Sequence, residues 1–284
     1  MSEIENNPIK IGEINNLQVL RESPQGLYLG FEDGESVLLP NKYVPENTVI
    51  NDYLDVFIYN DSEDRMIATT LTPQIKLNDF GVLKVREVNS IGAFMIWNIE
   101  KDIFIPYRNQ KHKLIAEKKY PIYLYLDSNS NRLVGTAILD KFLSNENISV
   151  NESDEVDLIV YEHTDLGFKT IINKKHFGLI YHSDIFQQLE IGDELKGYIK
   201  TIRLDNKIDV SIQKTGFENI DIYTEKLLQY LQKHNGKIHL TDSSSPDEIK
   251  DELAMSKKQF KKALGVLYKS KKIKLEADCV TLIL

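Results

Sequence analysis

A glycine with an aromatic ring one or two places later recurs three times, and that recurrence limits what the chain can fold into. The copies are Gly26-Leu27-Tyr28-Leu29, Gly92-Ala93-Phe94-Met95 and Gly167-Phe168-Lys169. Further landmarks keep the offset: Tyr59-Asn60-Asp61 returns as Tyr125-Leu126-Asp127, and Arg65-Met66-Ile67-Ala68-Thr69-Thr70 as Asn131-Arg132-Leu133-Val134-Gly135-Thr136. Lys207-Ile208-Asp209-Val210-Ser211 then stands to Arg132 as Gly167 stands to Gly92. Self-similarity at a fixed offset marks repeated structural units. From Ile9 to Gln213 the segments are short, β-branched and aromatic, and clusters of Asn, Asp, Gly and Ser separate them, which is an all-β pattern. Each repeat reads as an opening strand, a Gly-aromatic strand, a third strand, a polar stretch, a long fourth strand ending near an Asp, and a short closing strand. Five short strands in about 65 to 75 residues fit a small closed barrel better than a sandwich.

Beyond the repeats the period changes. Ser245 can cap a helix with Pro246 at its first position and Glu248 closing a capping box; Ser256 and Gln259 make a second box at once. Phe260, Ala263, Leu264 and Leu267 then fall at helical spacing. A preceding helical stretch from Tyr223 offers Leu227, Leu228 and Leu231 to pack against Ile249, Leu253, Phe260 and Leu264. Two short strands, Lys272 to Leu275 and Val280 to Ile283, form a wing turned at Glu276-Ala277-Asp278. The tail is therefore a helix-turn-helix with a wing. Its second helix carries Lys257, Lys258, Lys261 and Lys262, followed by Lys269, Lys271, Lys272 and Lys274, with no acidic residue between Met255 and Leu275. Lysines on an amphipathic helix often serve only as a solvated face, but such faces normally mix in Glu to gain i,i+4 pairs.

The chain of 284 residues has a net charge of -8, which argues against indiscriminate binding to nucleic acid. From Asn219 onward, however, 12 lysines face 9 carboxylates, so the excess negative charge lies upstream and any phosphate contacts concentrate at one end. The single Cys279 excludes an intramolecular disulfide; no apolar run is long enough to span a bilayer, and the N-terminus lacks a signal-peptide core. A cytoplasmic location is expected, with no membrane partner.

The second copy, with Gly92-Ala93-Phe94-Met95, and the third copy resemble the S1 RNA-binding domain, an OB-type barrel. In the third copy the resemblance runs through Gly167-Phe168, Gly178-Leu179-Ile180-Tyr181-His182-Ser183-Asp184-Ile185 and Ile191-Gly192-Asp193-Glu194-Leu195-Lys196-Gly197-Tyr198-Ile199 to Ile208-Asp209-Val210-Ser211-Ile212. In the first copy Gly26-Leu27-Tyr28 is nearly all that carries it. Three such copies before a winged helix with Met-Ser-Lys-Lys-Gln-Phe-Lys-Lys-Ala-Leu-Gly-Val-Leu-Tyr-Lys are similar to the conserved virulence factor B family of bacterial S1 proteins. The resemblance implies a mainly β fold with a C-terminal α+β domain: S1-like barrels at 1–72, 73–143 and 144–215, and a winged helix-turn-helix at 216–284. It also implies binding of single-stranded RNA and post-transcriptional control of gene expression.

S1 barrels stack unpaired bases on surface rings beside basic and polar groups. The ring after the glycine is matched by Phe94 and Phe168, and the ring on the third strand by Tyr181. Where the family has a histidine this chain has Tyr181, with His182 one place later and so on the opposite face. Lys169, Lys200, Arg203 and Lys207 lie near the third platform in motif order, and Lys257, Lys258, Lys261, Lys262, Lys269 and Lys272 extend the basic surface. Lysine makes point-charge contacts and reads few base edges, so backbone binding is the expectation. Glu32, Asp33, Glu35, Asp61, Glu63 and Asp64 give the first barrel a surface that repels phosphate, which fits a scaffold or a protein-binding unit.

Nothing points to catalysis. His176 and His182, like His234 and His239, are five apart, which follows no metal motif, and both pairs read as surface histidines. There is no Gly-rich phosphate loop, nucleophile elbow or Cys-His pairing. Asp61, Glu63 and Asp64 could together hold Mg²⁺ but lack a supporting motif. No enzyme activity, cofactor or metal is expected. The competing readings are a transcription regulator using the winged helix on duplex DNA, and a protein-interaction scaffold.

Overall fold

The computed structural model describes residues 9–31, 34–185, 188–212, 218–276 and 278–283. Three five-stranded closed barrels precede a winged helix. The first holds β1 (Ile14–Ser23), β2 (Gly26–Gly30), β3 (Ser36–Pro40), β4 (Tyr53–Asn60) and β5 (Met66–Thr69). The second holds β6 (Phe80–Val88), β7 (Gly92–Ile96), β8 (Ile103–Pro106), β9 (Lys119–Asp127) and β10 (Arg132–Thr136). The third holds β11 (Glu155–Thr164), β12 (Gly167–Ile172), β13 (His176–Tyr181), β14 (Glu194–Ile202) and β15 (Ile208–Ser211). In each, antiparallel neighbours are closed by one parallel pairing of third and fifth strands: β3 with β5, β8 with β10, β13 with β15.

The recurring glycine has a steric cause. Gly26, Gly92 and Gly167 start the second strand of each barrel with φ of 152°, 158° and 151°, opposite Pro40, Pro106 and Tyr181. A Cβ there would lie 2.0, 2.3 or 1.9 Å from the carbonyl oxygen of Leu39, Ile105 or Ile180. Only glycine lets the second and third strands come this close. In the first strand a bulge follows, between Val19 and Arg21, Val85 and Glu87, and Val160 and Glu162, and it bends the strand around the barrel.

The barrels do not stand apart. Phe57, Tyr59 and Ile75 join the core of the second barrel, where Phe57 meets Trp97 edge-on at 5.5 Å. Between the second and third barrels, Phe80, Leu139, Leu143, Ile159 and Ile171 form a further buried cluster, and Phe142 stacks on Tyr123 at 4.0 Å.

The winged helix comprises α1 (Glu218–Lys233), β16 (Lys237–Ile238), α2 (Pro246–Leu253), α3 (Lys257–Lys269), β17 (Ile273–Leu275) and β18 (Val280–Leu282). Both capping boxes form: Ser245 with Glu248, and Ser256 with Gln259. Leu227, Leu231, Ile249, Leu253, Phe260 and Leu264 share a core built from this domain's own residues. Two features depart from expectation. The first helix begins at Glu218, upstream of Tyr223, and β16 adds a third strand to the wing by pairing with β18. At two residues β16 is too short to show alternation.

Candidate nucleic-acid interface

Strand register places corresponding side chains of the three barrels on one outer face. Tyr28 lies opposite Leu38, Phe94 opposite Phe104, and Lys169 opposite Leu179, all half-buried. The same face then takes Ile67, Val134 and Asp209 from the closing strands, with Arg65, Arg132 and Lys207 two places before them. Its character differs among barrels. On the first, the Arg21 guanidinium covers the Tyr28 ring at 3.5 Å. On the second, Phe94 and Phe104 lie 5.1 Å apart, 32° from parallel, and open into a cleft of about 230 Å³ with Ile91, Lys101 and Arg132. Tyr107 and Arg108 continue that surface past Phe104.

Phe168 does not share the place of Phe94. It comes one residue after its glycine, not two, and pairs with Ile180, which is fully buried, so its ring packs on the edge of the third core. Exposed His163 and His182 flank that ring at 4.9 and 6.1 Å. The position of Phe94 is taken in the third barrel by Lys169. Tyr181 and His182 do separate as expected: Tyr181 lines a groove of about 510 Å³ with Leu166, Lys169, Arg203 and Lys207, while His182 turns toward Phe168.

The third barrel's cations come with carboxylates. Lys169 bridges Glu162 at 3.1 Å and Asp140 at 3.3 Å; burial pulls its ammonium pKa down, but these partners outweigh burial and raise it. Arg203 donates to Asp209 at 2.8 Å and to the Tyr181 hydroxyl at 2.6 Å, and the Asp209 hydrogen bond lifts its pKa. Lys207 pairs with Asp205 at 2.7 Å, and Lys200, outside the groove, with Asp184 at 2.6 Å. The cations around the second barrel's cleft are also engaged: Arg132 with Asp64, Lys101 with the Asp61 carbonyl oxygen at 2.6 Å, Arg108 with Asp127 at 3.3 Å. In α3 and the wing, by contrast, Lys258, Lys262, Lys269 and Lys272 are exposed and have no carboxylate partner among the described residues. Lys257 reaches the Ser243 carbonyl oxygen at 3.4 Å, and Lys261 lies 3.8 Å from Asp242.

Two expectations need correction. His176 is no surface histidine: it is wholly buried, with Nδ1 2.7 Å from the Ser144 carbonyl oxygen and Nε2 accepting from the Ser149 backbone N–H at 3.1 Å. His182, His234 and His239 are exposed. The acidic face of the first barrel is partly neutralised, since Asp61 binds Arg65 at 2.7 Å, Arg65 also meets Glu63 at 2.9 Å, and Asp64 reaches across to Arg132 of the second barrel. Glu32 and Asp33 lie outside the described residues. Among the described residues no group of three or more metal-ligating side chains converges, and no helix is long and apolar enough to cross a membrane.

With this geometry established, comparison with known proteins identifies both domain types. Residues 11–71 match the S1 domain and residues 225–282 the CvfB-like winged helix domain. Over most of its length the chain is similar to the conserved virulence factor B proteins. It is 24% identical over 281 residues to Conserved virulence factor B of Staphylococcus epidermidis, covering 96% of this chain and 94% of that one. It is also 26% identical over 274 residues to the protein named Uncharacterized protein YitL of Bacillus subtilis, covering 92% and 90%. A crystal structure described as a multidomain protein with nucleic acid binding domains from Streptococcus pneumoniae is 24% identical and aligns over 96% of this chain and 98% of that one, with a TM-score of 0.45. The S1 match falls on the first barrel, where the sequence motif is shortest; strand order and the shared glycine extend the same architecture to the other two. The domains are of nucleic-acid-binding type.

Proposed function

We propose that the protein binds single-stranded RNA without catalysing a reaction and acts in the cytoplasm as a post-transcriptional regulator. The observation that carries this reading is the Phe94–Phe104 ring pair opening into a cleft bordered by Lys101 and Arg132. Ring faces lining an open cleft beside cations suit unpaired bases, each stack contributing roughly 1 to 3 kcal/mol, whereas bases inside a duplex present no free face. The S1 match supports RNA as the strand. The unpaired lysines of α3 supply the sequence-independent attraction to phosphate, and the ion-paired cations of the barrels can exchange carboxylate for phosphate at low cost, because exposed ion pairs are worth only about 0 to 1 kcal/mol.

The test is a titration of a short single-stranded RNA against the protein at several salt concentrations. Phe94→Ala and Phe104→Ala are expected to weaken binding with little change in the slope of log K against log salt. The triple change Lys258→Glu, Lys261→Glu and Lys262→Glu is expected to flatten that slope by about 2 units, the value for three lost phosphate contacts on a single strand. Tighter binding to duplex DNA than to single-stranded RNA would favour transcriptional regulation instead, and absence of RNA binding at low salt would overturn the proposal.

A further inference from the structure

Helix α3 carries a side chain that neither the fold nor the lysine count explains. Tyr268 is 56% exposed, and no hydrogen bond to its hydroxyl is formed among the described residues. At 100° per residue, Lys258, Lys261, Lys262, Gly265, Tyr268 and Lys269 fall within a stripe of about 120°, opposite the buried Phe260, Ala263, Leu264 and Leu267. The ring thus forms one margin of the lysine stripe, next to Lys261, on the outer side of the winged helix. Tyr53, 64% exposed, lies on the first barrel between Asp52 and Asp55, and Tyr107, also exposed and near Lys113, has its hydroxyl committed to the Asn89 carbonyl oxygen.

Gly265 sharpens the geometry. Helical side chains lean toward the N-terminus, so the Tyr268 ring lies over the turn that holds Gly265, three residues earlier. A Cβ built on Gly265 meets nothing within 4 Å. Glycine is a poor residue for the middle of a helix, and neither its φ nor close packing demands it here. Its effect is to leave a bare patch of backbone beside an exposed ring, with ammonium groups on either side.

We propose that Tyr268, with the space above Gly265, is a stacking site for one unpaired base of a single-stranded nucleic acid, and that it gives the winged helix a preference for single strands over duplex. The proposal rests on the RNA-binding reading above but assigns a site outside the barrels. Lysines alone hold any phosphate backbone, single or double. A ring beside them adds attraction only where a base is free to leave its partner.

The experiment measures affinity of the full chain for a labelled single-stranded RNA and for the same sequence as a duplex, over a range of salt. Tyr268→Ala is expected to weaken single-strand binding roughly 5- to 150-fold, the equivalent of one lost stack, with the salt slope and duplex affinity unchanged. Tyr268→Phe should bind like the unaltered protein, since the hydroxyl has no partner. Gly265→Leu, which favours the helix, should weaken single-strand binding by covering the ground beside the ring. In the Tyr268→Trp variant, indole emission should be quenched on adding single-stranded RNA, because Trp97 is buried. If the unaltered protein binds RNA and Tyr268→Ala binds equally well, or loses duplex and single strand alike, the Tyr268 assignment falls while the RNA-binding reading survives. If the unaltered protein shows no RNA affinity at low salt, both fall.

Discussion

Two glycines show how differently the same residue type acts. Gly167 sits at φ 151° with the Ile180 carbonyl oxygen 1.9 Å from where a Cβ would be, so the backbone of β12 and β13 must separate to admit any side chain. Gly167→Ala is expected to destabilise the third barrel by more than about 1 kcal/mol, read as a lower urea midpoint. Gly265→Ala, with free space and ordinary helical backbone, is expected to raise the stability of the winged helix by about 0.5 to 1 kcal/mol. The first glycine was legible because its need is a backbone need and recurs in each repeat. Tyr268 was not, because a ring on a polar helix face leaves no periodic trace. Phe168 misled for a related reason: a glycine followed by a ring matches in sequence whether the ring comes one place later or two, yet those places face opposite sides of the sheet.

The elements of the fold were readable from strand patterning and capping boxes, and the joints between them were not. Trp97 follows β7 of the second barrel, donates its indole N–H to the Lys101 carbonyl oxygen at 2.6 Å, and meets Phe57 of β4 edge-on. Nothing in the repeat marks it, since its partner comes from the preceding copy and the contact depends on how two barrels stack. Trp97→Ala should cost about 3 to 5 kcal/mol and lower the unfolding midpoint of the first and second barrels together. The winged helix, whose core contains only its own residues, should keep its transition unchanged. Loss of the first barrel alone, or a shift of the winged helix, would show that the shared core does not couple them as the packing indicates. The missed strand β16 and the early start of α1 belong to the same class, because short or polar ends of elements are set by what they pair with rather than by their own periodicity.

Across the whole molecule the question is where positive charge remains available. Counting cations along the sequence points to the third barrel, with Lys169, Lys200, Arg203 and Lys207, but each is met by a carboxylate from another part of the same barrel or its neighbour. Except for Asp205, two places from Lys207, these partners are distant in sequence or separated by turns, so motif order could not reveal them. Exposed lysines without a carboxylate partner among the described residues include Lys113, Lys118 and Lys119 of the second barrel and Lys258, Lys262, Lys269 and Lys272 of α3 and the wing, and we propose that the denser run at the tail supplies most of the phosphate attraction. Arg203 offers a way to test that division. It is 43% exposed at the rim of the third groove, held by Asp209 and by the Tyr181 hydroxyl. Asp209→Asn removes the opposing charge while keeping an acceptor for the guanidinium. If RNA passes along the third groove, the freed charge should tighten single-strand binding several-fold at low salt and steepen the slope of log K against log salt by up to about 0.7, the value for one further phosphate contact on a single strand. If RNA is held by the second barrel and α3 alone, affinity and slope should match the unaltered protein. The triple lysine variant separates the two cases further, because with these three α3 contacts removed by charge reversal a third barrel on the path would still respond to Asp209→Asn, and one off the path would not.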